Sequence, residues 1–182
     1  MDLFEYAKVG EPAPHFTMLS TKNIETLKET VSLEDYKGKW LILLFYPYDF
    51  SFVCPTEILA LSDNYEEFKA LNTEILAIST DSVYAHRAWL QTPEEDNGIQ
   101  GTKFTLASDG THEISEAYGV LVEEEGVALR GLFIIDPKGI LQNSVIHNMD
   151  IGRSVDETLR VLEALQAGGL CAANWQPGED LL

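Results

Sequence analysis

Tyr46-Pro47-Tyr48-Asp49-Phe50-Ser51-Phe52-Val53-Cys54-Pro55-Thr56-Glu57 places one of the chain's two cysteines where strand residues give way to helix residues. Ahead of it, Lys39-Trp40-Leu41-Ile42-Leu43-Leu44-Phe45-Tyr46 is a short, nearly unbroken apolar run, which reads as a central strand buried on both faces. Behind it, Pro55 suits the first turn of a helix, where its missing N–H leaves no bond unmade. Ile58, Leu61, Tyr65, Phe68 and Leu71 follow at helical spacing. The segment from Cys54 to Leu71 therefore reads as one helix, with the cysteine sulfur near unpaired backbone N–H groups at its N-terminus. Such an end stabilises an anion by about 0.3–1 kcal/mol, whereas an unperturbed thiol is only about 3% ionised at pH 7. A nucleophilic thiolate here needs a cation as well. Arg130, on an expected strand from Leu129 to Asp136, and Arg153, just ahead of an expected helix, are the arginines considered.

The composition narrows the partners. Thirty acidic against twelve basic residues give a formal net charge of −18, and the positive charges form no run. That balance argues against nucleic acid and against an anionic membrane surface, and no apolar stretch approaches the roughly 20 residues that span a bilayer. Met1-Asp2-Leu3-Phe4-Glu5-Tyr6-Ala7-Lys8 reads as neither a secretory nor an organelle-targeting segment, so a cytoplasmic location is expected. The length and a 45% hydrophobic content fit one well-cored domain over residues 1–182, with residues 166–182 as a C-terminal tail. Two cysteines are too few for a disulfide scaffold. Cys171 lies in a Gly/Ala-rich stretch beyond an expected helix end, so it is expected to be mobile, accessible and suited to disulfide exchange. His15, His86, His112 and His147 are dispersed without paired ligand spacing, and neither a metal nor a cofactor is expected.

Strand and helix signals alternate along the chain. Thr73 to Ser79 reads as a second strand, parallel to the first across the helical crossover. Asp81 or Ser82 caps a helix to Gln91, stopped by Pro93. Phe104 to Ala107 is a short strand and Glu113 to Tyr118 a short helix. Leu129 to Asp136 and Ile140 to Asn148 form a hairpin across Pro137-Lys138-Gly139. Ser154-Val155-Asp156-Glu157 reads as a capping box for a last helix that Gly168 and Gly169 close. Trp89 and Trp175 read as packing residues. The order is that of an α/β, thioredoxin-like fold: a central mixed β-sheet flanked by helices, with an N-terminal extension and a C-terminal tail. Ser51 and Glu57 occupy the positions three residues either side of Cys54, so there is no Cys-x-x-Cys and a general dithiol reductase is disfavoured.

Pro47-x-x-x-Ser51-x-x-Cys54 resembles the active-site motif of the peroxiredoxins, and the residues around it are similar to the typical 2-Cys subgroup. The resemblance continues through Asp81, His86 and Ala88-Trp89, through Arg130 to Asp136, and through Gly152 to Glu157. It ends at Cys171 and Trp175-x-Pro177-Gly178, and covers the chain from Val9 to Asp180. It implies a thiol-dependent peroxidase acting on hydrogen peroxide and organic hydroperoxides. Cys54 would be the thiolate that becomes a sulfenic acid. Arg130 would stabilise that thiolate and bind the peroxide, Ser51 Oγ and the Cys54 N–H would hold and polarise it, and Pro47 would shield the sulfur. Glu57 and Arg153 would form a supporting charge network around Arg130. Cys171 of the partner subunit would resolve the sulfenic acid to an intersubunit disulfide, recycled by a thioredoxin-like or flavoprotein-linked reductant. A homodimer assembling into a decamer, with a ring contact around Asp81 to His86, and a secondary holdase activity are implied too.

Three departures from the family pattern carry expectations. Asn97-Gly98-Ile99-Gln100 stands where peroxide-sensitive members have Gly-Gly-Leu-Gly, and no Tyr-Phe helix precedes Leu182, so resistance to sulfinic acid formation is expected. Ala172 stands where the resolving motif usually has Pro, which leaves the geometry around Cys171 open. A Cys-His hydrolase pairing Cys54 with His147 is the alternative enzyme, although it gives Cys171 no role. A non-catalytic thioredoxin-like assembly protein is the alternative of another class.

Overall fold

The computed structural model describes residues 6–182, so the reading of Met1 to Glu5 lies outside the described residues. Its elements follow in the order β1 Thr17–Ser20, β2 Thr30–Ser32, β3 Trp40–Phe45, α1 Cys54–Asp63, α2 Tyr65–Ala70, β4 Thr73–Ser79, α3 Val83–Gln91, β5 Thr105–Ser108, α4 Glu113–Ala117, β6 Leu121–Val122, β7 Val127–Ala128, β8 Arg130–Ile135, β9 Leu141–His147 and α5 Val155–Ala167. A seven-stranded sheet runs β2-β1-β5-β4-β3-β8-β9. The β3–β4 and β4–β5 pairs are parallel, while β8 and β9 run antiparallel to their neighbours, as the expected mixed sheet requires.

The apolar run is the centre of that sheet, and alternation splits it between two cores. Ile42, Leu44 and Tyr46 face Ile58, Leu61, Phe68, Leu159 and Leu162, on the side covered by α1, α2 and α5. Leu41, Leu43 and Phe45 face Phe16, Met18, Tyr118 and Phe133 on the other. Each of these large side chains contributes about 1.5–3 kcal/mol by leaving water, which is why a nearly unbroken apolar run is stable only here.

Several elements differ from the sequence reading. The expected Cys54-to-Leu71 helix breaks at Asn64, which lies between α1 and α2 with φ −94° and ψ 9°. Its side-chain amide donates to Ala60 O at 2.8 Å, the local competition by which Asn interrupts helices. Strands β1 and β2 carry no strong alternation over so few residues; their pairing with each other and with β5 forms them. At α5 only half of the expected capping box is made. Ser154 Oγ accepts from Glu157 N, but the Glu157 carboxylate binds Arg160 instead of turning back. Gly168 closes α5 in the left-handed region at φ 72°. Among the described residues no helix is long and apolar enough to cross a membrane.

This topology positions the site. The chain leaves the carboxyl end of β3, forms a loop over residues 46–53, and enters α1 at Cys54. Because β8 runs antiparallel to β3, with Leu132 opposite Leu44, the first residue of β8 lies beside the end of β3. That residue is Arg130.

Candidate active site

Cys54 is the first residue of α1, followed by Pro55, and its side chain is fully buried. Arg130 Nη1 lies 3.2 Å from Cys54 Sγ and 2.8 Å from Glu57 Oε2, while Arg130 Nε donates to Met149 O. Glu57 sits one helical turn after Cys54, so the thiol and the carboxylate share one face of α1 and one guanidinium bridges them. Arg153 clasps the same carboxylate: Nε and the backbone N each donate to Oε1 at 2.8 Å, and Nη2 donates to Oε2 at 2.8 Å. Arg153 Nη1 also donates to Phe45 O and Gly131 O, both at 2.7 Å, tying the pair to the ends of β3 and β8.

The three charged side chains are each at most 5% exposed. Two guanidiniums and one carboxylate leave one positive charge uncompensated in this buried cluster, with the Cys54 sulfur against it. Burial pushes the Glu57 carboxyl up, but hydrogen bonds and charge from Arg153, with the charge of Arg130, outweigh it and hold the carboxyl below its ordinary range. Glu57→Ala would strand two buried cations, and is expected to cost about 3–5 kcal/mol, or about 6–20 °C in Tm by calorimetry. An unchanged Tm would remove the network from the stability of the fold. Because the folded pKa is depressed, this stabilisation is present above about pH 4.5 and lost as pH falls through the lower folded value. Glu57→Gln is expected to flatten that acid limb.

The remaining expected residues lie in the loop before Cys54. Pro47 is buried, and Ser51 is half-buried with Oγ donating to Tyr48 O at 3.0 Å. The loop is clamped by a second set of hydrogen bonds, whose residues the sequence reading did not connect with this loop. Tyr46 OH donates to Asp49 Oδ1 at 2.7 Å, and Asp49 Oδ2 lies 2.7 Å from His86 Nδ1. His86 Nε2 lies 3.1 Å from Ala107 O, and a carbonyl only accepts, so that nitrogen carries a hydrogen. Asp49 N donates to Asp81 Oδ2. Burial, the largest influence, pushes the Asp49 carboxyl up against the pull of His86. From a third side the Asn97 side-chain amide donates to Phe50 O at 3.0 Å and Ser51 O at 2.8 Å. His86 and the Asn97 loop both stood out in the sequence, but their shared target did not.

Cys171 is half-buried rather than freely accessible. Its thiol lies 3.7 Å from Ala164 O, in the last turn of α5. Cys54 and Cys171 are both free thiols in the chain. His147 Nδ1 turns to Ile151 O, whereas Cys54 meets Arg130, so the Cys-His pair of the hydrolase alternative is not assembled.

The AhpC/TSA family matches residues 9–144. Peroxiredoxin prdx-2 of Caenorhabditis elegans is 50% identical over 180 residues, covering 97% of this chain and 89% of that protein. The chloroplastic 2-Cys peroxiredoxin BAS1 of Hordeum vulgare is 51% identical over 181 residues, covering 97% and 85%. The crystal structure of the reduced Plasmodium vivax 2-Cys peroxiredoxin superposes with a TM-score of 0.90 at 43% identity, covering 94% of this chain and 91% of that one. Sequence and backbone agree along almost the whole chain, and the chain belongs to the AhpC/TSA family of peroxiredoxins.

Proposed function

We propose that this thiol-dependent peroxidase reduces hydrogen peroxide and organic hydroperoxides at Cys54, and that Cys171 of a second subunit completes the cycle. The buried excess positive charge at Arg130 and Arg153 carries this reading, since a Cys54 thiolate neutralises it. The thiolate lone pair attacks the terminal peroxide oxygen and the O–O bond breaks. Cys54 becomes a sulfenic acid, oxidised by two electrons, and the departing alkoxide or hydroxide takes a proton to become alcohol or water. Arg130 supplies the donor for the charge that develops on the departing oxygen. Ser51 Oγ spends its hydrogen on Tyr48 O, which leaves its lone pairs to accept from the peroxide O–H. The Cys54 N–H, one of those that the start of α1 leaves without a helical partner, would polarise the same peroxide, and buried Pro47 would shield the sulfur from water.

In the second step the partner's thiol attacks the Cys54 sulfur, water leaves, and an intersubunit disulfide forms. A thioredoxin-like or flavoprotein-linked dithiol then reduces it by exchange. Two exposed apolar surfaces support assembly. Val145 and Ile146 stand out on β9, the edge of the sheet, and suit pairing with a second copy as a dimer. Tyr48, Phe50, Phe52 and Tyr84 are 42%, 44%, 89% and 67% exposed around the active-site loop, and suit contact between dimers in a decamer. A reducing cytoplasm keeps both thiols available between cycles.

Peroxide consumption coupled to a thioredoxin system tests the first half; a chain that consumes none refutes the peroxidase. For the second half, one peroxide pulse followed by a non-reducing gel is expected to give a disulfide-linked dimer that the Cys171→Ser variant lacks. A dimer that persists in the variant would move the resolving role away from Cys171.

A further inference from the structure

We propose that the hollow at the end of the sheet opposite Cys54, walled by Lys22, Lys39, Lys103, Tyr36 and Phe104 among others, binds a small phosphate ester: an organic monophosphate whose body is a single flat ring. The site is independent of the peroxide chemistry above.

The chain holds thirty acidic and twelve basic residues, yet the fold collects cations at this end. Five of its eight lysines, Lys22, Lys37, Lys39, Lys103 and Lys138, line two hollows that share Tyr36 and Lys39 in their walls. Topology gathers them from scattered positions. Strands β3, β4 and β5 are parallel and start here, whereas Cys54 follows the far end of β3. Lys39 immediately precedes β3, and Lys103 comes just ahead of β5. Lys22 lies just beyond β1, which runs antiparallel to β5 and so returns to the same end.

The hollow that Lys22, Lys39 and Lys103 share has a volume of about 200 Å³, and its two carboxylates are already engaged. Glu74 Oε1 accepts from Lys39 Nζ at 3.2 Å and from Lys69 Nζ at 2.8 Å, and Oε2 accepts from Tyr65 OH at 2.7 Å. Burial pushes the Glu74 carboxyl up, but the hydrogen bonds from Lys69, Tyr65 and Lys39 outweigh it and hold the group ionised below its ordinary range. Asp35 Oδ2 accepts from Ser32 N at 2.8 Å. Among the described residues, the ammoniums of Lys22 and Lys103 and the hydroxyl of Tyr36 make no hydrogen bond or ion pair. Unspent polar capacity in these walls therefore favours an anion. The net charge of −18 does not cancel it, because salt screens carboxylates more than about 8 Å away and leaves the local balance to decide.

The kind of anion follows from the donors and the walls. No arginine lines the hollow. An ammonium is a compact point charge with three donors, which suits phosphate oxygens, whereas a planar carboxylate is matched better by a guanidinium fork. Val31, Ile75 and Phe104 supply buried apolar surface beside the lysines, and the ring of Tyr65 stands 6.0 Å or more from none but Phe104, at 6.2 Å between centroids. A flat ring can rest there while its phosphate meets Lys22, Lys39 and Lys103. The volume is below the roughly 300–1,000 Å³ of sites for larger ligands, which restricts the body to about one ring.

Calorimetric titration of the full chain with phenyl phosphate is the test, and saturable binding at one site per chain is expected. Inorganic phosphate, which lacks the ring, should bind about tenfold more weakly. Lys22→Gln and Lys103→Gln should each weaken phenyl phosphate about tenfold, as for losing one charge-assisted hydrogen bond. Lys28→Gln removes an exposed lysine outside the hollow and should leave the affinity within about twofold. Thermal melting confirms that each variant is folded. Absence of saturable binding overturns the proposal, as does an equal loss in Lys28→Gln and Lys103→Gln, which would mark a diffuse attraction to surface charge. Inorganic phosphate binding as tightly as phenyl phosphate overturns the ring's seat and with it the ester. Arg130→Met should bind phenyl phosphate as the wild type does; binding that vanishes in that variant belongs to the Cys54 site and overturns the assignment to this end of the sheet.

Discussion

Replacing Cys54 by serine is expected to abolish peroxide consumption while the fold survives. The substitution exchanges one buried atom, and the Arg130–Glu57–Arg153 network that anchors α1 to β3 and β8 stays in place. Sulfur can accept an oxygen and return it through disulfide exchange; a serine oxygen cannot climb that ladder. Nothing else in the loop replaces the lost nucleophile, because Ser51 is already committed to Tyr48 O and has no base beside it. Peroxide consumption with a thioredoxin system is the measurement, and retained turnover would sink the peroxidase assignment to Cys54. The same variant separates the classes of function. Any holdase effect draws on exposed apolar surface such as Tyr48, Phe50, Phe52 and Tyr84, which the substitution leaves untouched, so suppression of client aggregation should persist.

Arg130→Met is expected to lower kcat/KM for peroxide by about 10²–10³, the usual consequence of removing one preorganised donor from a water-excluded site. Methionine retains much of the length and apolar volume of the side chain, so the loss is chiefly one of charge and hydrogen bonds. With Arg130 gone, the cluster holds one cation in Arg153 and one anion in Glu57, and a thiolate becomes an excess negative charge rather than its complement. Arg130→Lys should fall between the two. It keeps the charge, but one ammonium cannot reproduce the planar fork that spans Cys54 Sγ, Glu57 and Met149 O together. Stopped-flow oxidation by peroxide reads both variants. A decrease smaller than about threefold for Arg130→Met would assign the arginine to structure alone.

Much of this was legible in the chain because it is written in local patterns. The unbroken run at Trp40 to Phe45 demands burial on both faces, Pro55 starts a helix, and Ser82 and Ser154 cap the helices that follow them. Those signals act over a few residues, so they need no knowledge of the rest of the molecule. They placed a thiol at a helix N-terminus and showed that it wanted a cation. The motif resemblance then proposed Arg130, and the antiparallel pairing of β8 with β3 accounts for its arrival there.

Only the tertiary structure decided how the site is held. Glu57 bridges two arginines that lie 73 and 96 residues further along. Asn97 reaches carbonyls 46 and 47 residues behind it. Backbone carbonyls look alike in every sequence, and no periodicity marks which one a distant amide will find. The short strands β1 and β2 likewise exist through their partners, and the Asn64 break shows a side-chain hydrogen bond overriding a continuous apolar spacing. Sequence by itself thus determined the sheet's centre, the helix starts and the thiol at the start of α1. Long-range packing determined the buried charge balance and the loop clamp, because both depend on groups that meet only after the sheet has formed.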